Sequence, residues 1–223
     1  MIVSAVILAA GRGERMATET PKAFLELSGR PLFLHAVDTF ARVPRVEEII
    51  VVAPQGVLET AREMAAARVV PEKLIAGGAT RRQSSLAGLR AATGEIVLVH
   101  DGCRPFASTA LIDRVLDAAI QHRAVVPVLP SVDTLYKLEA TGQRVQELLD
   151  RATIARAQTP QGFDRSLILD CLQTAPASMT DDASAVLAQG REVFIVEGEA
   201  TNLKVTYPED LRWAGLFAAE ATR

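Results

Sequence analysis

Cysteine is scarce in this chain of 223 residues: the two present, Cys103 and Cys171, are joined by no metal-type spacing. That excludes a thiolate metal centre and points to a reduced compartment. Positive charge is not in excess either. Twenty-four Lys and Arg face 27 Asp and Glu, giving a net charge of −3 and a pI near 5.7. A dedicated nucleic-acid binder is excluded on that balance, and any anionic ligand must be met by local clusters of Arg and Lys. No basic segment precedes the first apolar run, which is too short to span a membrane, so a cytoplasmic protein without membrane attachment is expected. Repeats, low-complexity tracts and linkers are also missing. What remains is 49% hydrophobic and 23% charged, ordinary for a globular chain long enough to bury a sizeable core. A single domain over residues 1–223 is expected.

The most informative stretch runs from Ile2 to Leu25. Ile2 to Ala9 has the length and β-branched content of a strand buried on both faces. It empties into a loop where Gly11 and Gly13 let the backbone turn sharply and bring its N–H groups close to an anion. Arg12, Arg15 and Lys22 outweigh Glu14 and Glu19 there, three charges against two. We read this as a phosphate loop, with an ordinary glycine-rich turn as the competing reading. Met16 stands where the dinucleotide fingerprint needs its third glycine, and no Gly-Lys-Ser/Thr follows Gly11, so neither the Rossmann dinucleotide nor the Walker pattern applies.

Apolar runs alternate with helix-like segments through the first half. Strands are predicted at Val46–Ala53, Val69–Ala76, Glu95–Val99 and Ala124–Leu129. Helices are predicted around Leu32–Phe40, Leu58–Ala67, Arg81–Ala92 and Leu111–Gln121. This spacing predicts an α/β fold: a Rossmann-like, doubly wound, mostly parallel sheet. From Ser131 the rhythm breaks into short alternating stretches around the turn Thr141-Gly142, followed by an extended stretch, Ala152–Thr159. We expect a protruding antiparallel β-arm inserted over about 132–158, longer than ordinary connections. Helices at Leu167–Leu172 and Ala183–Gln189, a last strand at Val193–Val196 and a helix opened by Pro208 complete the pattern.

Ligands of such sheets bind beyond the carboxyl ends of the strands, and the unusual residues fall there repeatedly. Gly77-Gly78-Ala-Thr-Arg81-Arg-Gln-Ser84 follows one strand, His100-Asp101-Gly-Cys-Arg104-Pro another, and Asp133-Thr134 a third. Asp101 can hold a divalent ion or a sugar hydroxyl, or simply cap a turn. Arg104 can grip a phosphate with two prongs or form a surface salt bridge. His100 reads as a packed or hydrogen-bonded side chain rather than a base, and Cys103 as a small buried filler. Ser84 is a base-contacting hydroxyl or a first-turn helix residue. Lys204, between Leu203 and Val205, points into a cleft or lies on a solvent-facing strand. Thr159-Pro-Gln-Gly-Phe163 is a candidate to close the cleft from the arm side.

As complete strings these motifs are specific. Ala-Ala-Gly-x-Gly-x-Arg-Met with Pro21-Lys22 resembles the opening of the sugar-nucleotide pyrophosphorylase and cytidylyltransferase superfamily. Adding Gly-Gly-x-x-Arg-x-x-Ser, His-Asp-x-x-Arg-Pro, Asp-Thr, Thr-Pro-Gln-x-Phe and Asn-Leu-Lys-Val-Thr-x-Pro-Glu-Asp-Leu, nearly the whole chain resembles the 2-C-methyl-D-erythritol 4-phosphate cytidylyltransferase family. The resemblance implies that CTP and methylerythritol phosphate are joined with loss of pyrophosphate, with Mg²⁺, in isoprenoid precursor synthesis. It also implies a homodimer in which the arm of one subunit closes the site of the other. By that resemblance Arg15 and Lys22 are catalytic and stabilise charge at the α-phosphorus. Ala10, Gly11, Gly13, Gly78, Ser84 and Lys204 hold the nucleotide, and Asp101 serves substrate and metal. Arg104, Thr159 and, from a partner's arm, Thr134 and Arg151 bind the polyol phosphate. The chain departs from the family pattern at Gly102 and Cys103, where alanines are frequent, and at Ala79 and Thr201, where acids are frequent, which bears on base recognition and metal ligation. Two other functions fit the motifs: a ribitol 5-phosphate cytidylyltransferase, and a non-catalytic nucleotide-binding protein on the same scaffold.

Overall fold

A computed structural model describes residues 1–11, 13, 16, 20–66, 73–176 and 179–220. The chain opens with strand β1 (Val3–Leu8), then a small corner, β2 (Glu26–Leu27) and β3 (Arg30–Pro31), that feeds helix α1 (Leu32–Ala41). Next come β4 (Glu48–Ala53), α2 (Leu58–Ala66), β5 (Lys73–Ala76), α3 (Arg81–Ala91), β6 (Ile96–Asp101), α4 (Thr109–His122) and β7 (Ala124–Pro130). The arm follows as β8 (Leu135–Leu138) and β9 (Val145–Leu149), and the chain returns through β10 (Ala155–Ala157) and β11 (Gln161–Asp164). It ends with α5 (Arg165–Thr174), α6 (Ala183–Ala188), β12 (Phe194–Glu197) and α7 (Pro208–Glu220).

One eight-stranded sheet organises the molecule. The order β6-β1-β4-β5 is parallel throughout, and β12 runs parallel to β7. The predicted doubly wound, mostly parallel architecture is the observed one. Its central strands read as continuous apolar runs because both faces are covered. Along β1, Val3, Ala5 and Ile7 enter one core with Phe33 and Phe40 of α1 and Leu111 and Ile112 of α4. Val6 points the other way, into a second core with Leu86 and Leu89 of α3 and Ile168 of α5. At about 1.5–3 kcal/mol for each fully buried aliphatic or phenyl side chain, these two layers supply most of the drive to fold.

A third, smaller cluster matters more for the site. Met16, Leu27, Leu32, Val205 and Ala214 join the loop after β1, the β2–β3 corner and α7. The Val205 amide also donates to the Cys103 carbonyl at 2.9 Å, which holds residue 204 beside the end of β6.

Two expectations need correction. Thr159–Phe163 does not swing over the cleft from the arm side. Gln161–Asp164 is an interior strand, antiparallel to both β6 and β7. Its four residues, Gln-Gly-Phe-Asp, carry no apolar run, and Gly162 is there because a Cβ would lie 2.8 Å from that of Ala119 on α4. The stretch Ala152–Thr159 is not uniformly extended either: Arg151–Thr153 forms a 3-10 turn before β10, with Asp150 accepting from the Ala152 amide at 3.0 Å. The arm itself is a separate antiparallel hairpin, β8 with β9, as the alternating pattern predicted.

Candidate active site

The carboxyl ends of the parallel strands open onto a cleft of about 790 Å³. Leu8 to Gly11 and Gly13 come from the end of β1, Pro54 to Gly56 from β4, Gly77 to Arg81 from β5, and Asp101 and Cys103 from β6. Lys22, Ala23, Ser84, Lys204 and Thr206 complete the wall. Ala10, Gly11, Gly13, Lys22, Gly78, Ser84, Asp101 and Lys204, singled out in the sequence, therefore face one space. Arg15 lies outside the described residues.

The glycines act by letting backbone approach. Gly13 has φ of +68°, and a Cβ there would fall 2.5 Å from the Cβ of Lys22. The loop thus passes directly over Lys22, which starts the 3-10 turn Lys22–Phe24 and is held there by the buried Ala23 and Phe24. Across the cleft, a Cβ on Gly77 would meet that of Ala10 at 2.5 Å. Ser84 is a first-turn residue of α3, and it also lines the cleft. Its Oγ accepts from the Gly78 amide at 3.2 Å and donates to the Thr80 carbonyl at 3.1 Å. Thr80 and Gln83 form a reciprocal cap that fixes the start of α3.

Charge is concentrated around Asp101, which is 5% exposed. Its Oδ1 accepts from Arg81 at 2.6 Å, its Oδ2 from Lys204 at 2.7 Å, and Arg104 Nε lies 4.0 Å away. Burial alone would raise the Asp101 pKa, but Arg81, Lys204 and Arg104 outweigh it and hold the carboxyl well below its usual range. Arg81 also pairs with the fully buried Asp182 at 2.8 Å. Burial opposes the Arg81 charge, and the two carboxylates overcome that and strengthen it.

Behind Asp101 sits a buried scaffold. Arg104 donates to the carbonyls of Asn202 at 2.8 Å and Ala157 at 3.4 Å, so the structure places it under the cleft wall, its prongs spent on backbone. Thr159 Oγ1 accepts from the Asp101 amide at 3.1 Å and lies 3.2 Å from His100 Nδ1. His100 Nε2 is 3.0 Å from the Arg104 carbonyl. A carbonyl only accepts, so His100 carries its proton on Nε2, and the Thr159 hydroxyl donates to Nδ1. Burial pushes the His100 pKa down to about 4 and keeps it neutral, a structural imidazole rather than a base. Burial, and then the nearby Asp101 charge, push the Cys103 thiol up, so it lines the cleft as a neutral filler. Thr134 and Arg151 are exposed on the arm and do not line this cleft, and Arg151 donates to the Val132 carbonyl at 2.9 Å.

Sequence reasoning missed Asp182 altogether and gave Arg81 no task. The only signal is the acidic pair Asp181-Asp182 before a short helix, 101 residues from its partner.

Fold and cleft together define a nucleotidyltransferase: glycine-lined backbone at the sheet's carboxyl edge, one lysine against the loop, a second lysine on an aspartate. The model of the family described as IspD, 2-C-methyl-D-erythritol 4-phosphate cytidylyltransferase, matches residues 3–220, and the chain belongs to that family. A 2-C-methyl-D-erythritol 4-phosphate cytidylyltransferase of Geobacillus kaustophilus is 40% identical over 98% of both chains. A bifunctional enzyme IspD/IspF of Solidesulfovibrio magneticus is 42% identical over 92% of this chain, which spans 54% of that protein's length. The crystal structure of the 4-diphosphocytidyl-2C-methyl-D-erythritol synthase of Anaerococcus prevotii superimposes with a TM-score of 0.85, at 30% identity over 98% of both chains. These names favour methylerythritol phosphate over ribitol phosphate as the acceptor.

Proposed function

We propose that the cleft binds CTP with its triphosphate against the Gly11–Gly13 loop and Lys22, and presents its α-phosphorus to the phosphate of 2-C-methyl-D-erythritol 4-phosphate. A phosphate oxygen of the polyol attacks the α-phosphorus, the bond to the β-phosphate oxygen breaks, and pyrophosphate leaves. The products are 4-diphosphocytidyl-2-C-methyl-D-erythritol and pyrophosphate. The attacking group is already an anion, so no strong base is needed, and the neutral His100 and neutral Cys103 agree with that. Two anions must instead be aligned and their charge compensated, which Lys22 and Lys204 do from the wall of one cleft. Arg15 adds to that compensation at the α-phosphorus in this proposal. Arg104 and Thr159 support the polyol phosphate end through Asp101.

Asp101 is the one carboxylate among the described lining residues, and both its oxygens already meet cations. No group of three His, Cys, Asp or Glu suited to a metal occurs among the described residues. That donor set fits Mg²⁺ arriving on the nucleotide, which takes most of its ligands from phosphates and water, with Asp101 as the protein's contribution. When bound, the ion neutralises charge on the phosphates.

No helix among the described residues is long and apolar enough to cross a membrane. Both cysteines are free and buried, in keeping with a reduced cytoplasmic setting. The arm exposes Tyr136, Leu138, Val145 and Leu148, which supports a homodimer in which the partner's arm brings Thr134 and Arg151 to this cleft. The single observation that carries the function is the convergence of Gly13, Lys22, Asp101 and Lys204 on one cavity. A pyrophosphate-release assay across the four nucleotides, with methylerythritol and ribitol phosphates, tests it. Turnover is expected with CTP and the methylerythritol ester, and none with that pair would overturn the assignment.

A further inference from the structure

Arg81 stands in the cleft wall, three residues beyond Gly78, where its guanidinium would ordinarily be read as a phosphate ligand. Its prongs are turned elsewhere. Nη1 donates to Asp101 Oδ1 at 2.6 Å, and Nη2 donates to Asp182 Oδ2 at 2.8 Å. Asp182 is 0% exposed and precedes α6, yet its side chain makes no capping hydrogen bond to that helix. Its Oδ1 has no hydrogen-bond partner among the described residues. A buried carboxylate is costly unless paired, and such a pair is weak evidence for stability by itself. Helix capping therefore does not account for this one, and its charge is spent on Arg81.

We infer that Asp182 is a positioning residue for the transfer reaction: it holds Arg81 back against Asp101, so that Asp101 offers Lys204 a single oxygen and Lys204 stays aimed into the cleft. The inference rests on the reading that Lys204 serves the reacting phosphates. Arg81 saturates Asp101 Oδ1, which leaves Oδ2 for the Lys204 ammonium at 2.7 Å. Without the Asp182 charge, Arg81 has one carboxylate in place of two and is free to turn toward a triphosphate. Asp101 Oδ1 is then released to draw Lys204 inward. That second movement takes the ammonium away from the place where it can meet substrate. The chain of contacts α6–Asp182–Arg81–Asp101–Lys204 thus ties a helix outside the cleft to a cation inside it.

Asp182→Asn, Asp182→Glu and Arg81→Lys test this, with steady-state kinetics, calorimetric CTP binding, melting temperature and a crystal structure of Asp182→Asn. Because a misplacement of about 1 Å can cost about 100-fold, Asp182→Asn and Arg81→Lys are expected to lower turnover by about 10- to 100-fold. CTP affinity should change far less than turnover, since the Gly11–Gly13 loop and Lys22 still hold the triphosphate. Asp182→Glu should recover most of the turnover, and Lys204 should be displaced in the Asp182→Asn crystal structure. Wild-type turnover in Asp182→Asn, or Lys204 unmoved there, overturns the inference. So does tenfold weaker CTP binding in Arg81→Lys with turnover retained, since Arg81 would then be a phosphate ligand. Should Asp182→Asn fail to fold, Arg81→Lys decides alone, and wild-type turnover there overturns the inference. A wild-type enzyme inactive on CTP and methylerythritol phosphate would overturn the functional assignment instead, while the Lys204 position would still judge the contact chain.

Discussion

In the cleft, Asp101 is 5% exposed and touches three cations, each carried by a different stretch of chain. On the arm, Tyr136, Leu138, Val145 and Leu148 are 54%, 53%, 57% and 65% exposed, and β8 and β9 pair with each other alone. The contrast lies in what holds each group in place. Cleft residues leave the ends of strands whose side chains fill two cores, so their positions are inherited from the sheet. Arm residues inherit a direction from one hairpin, and a lone two-stranded hairpin is marginal in water. A site that must align two anions belongs on the first kind of support. The second kind suits a surface completed by another molecule.

Five variants sharpen or break this contrast. Lys22→Ala should cost about 3–4 kcal/mol in kcat, the scale of losing one preorganised donor, with CTP binding far less affected. Near-normal turnover would mean that the cleft positions Lys22 for nothing. Asp101→Ala should lower unfolding stability by about 3 kcal/mol in a denaturant titration, because the buried scaffold loses its counter-charge. That is the lower end for a broken buried pair, since Lys204 is 37% exposed and water compensates it. A loss under about 0.5 kcal/mol would show the network to be surface-like.

The pH dependence separates two buried groups. Glu48 is bonded by Lys73, Ser4 and Thr93, and although burial opposes its charge these partners lower its pKa from 4.5 to about 2. A lowered carboxyl pKa contributes stability that is present above the unfolded value of 4.5 and is lost as pH falls toward about 2. Glu48→Gln should therefore flatten acid unfolding in that window by about 1–3 kcal/mol. His100 has its pKa lowered from 6.5 to about 4, so the unfolded chain takes its proton first and stability falls as pH drops between those values. For turnover, His100 contributes no titration between pH 6 and 8, and a limb near 6.5 that vanishes on its replacement would contradict its structural role. The smallest effect belongs to the arm. Leu148→Ser should change the stability of the isolated chain by about 0.5 kcal/mol or less, as exposed substitutions do. In sedimentation it should weaken self-association, and an unchanged assembly state would remove the arm from the proposed dimer.

Much of the fold was legible because two-sided burial writes continuous apolar runs into β1, β4 and β6, and turn glycines punctuate them. The site was legible where a motif sits at a strand end, since topology brings Gly13, Gly78 and Asp101 to one edge. Side-chain direction was not. Arg104 belongs to the same string as Asp101, yet its guanidinium donates to the Asn202 and Ala157 carbonyls beneath the wall. The β11 strand escaped notice because an interior strand of Gln-Gly-Phe-Asp has no periodicity to detect.

Local patterns alone determined the strand–helix alternation, the glycine-rich loop and the presence of cations near it, since these depend on spacing along the chain. Which carboxylate each cation meets was decided only by the tertiary fold. Arg81 and Asp182 lie 101 residues apart, and Asp101 and Lys204 are also brought together across the sequence. An ion pair is a matter of ångströms in space, and separation in sequence carries no information about that distance until the cores have closed.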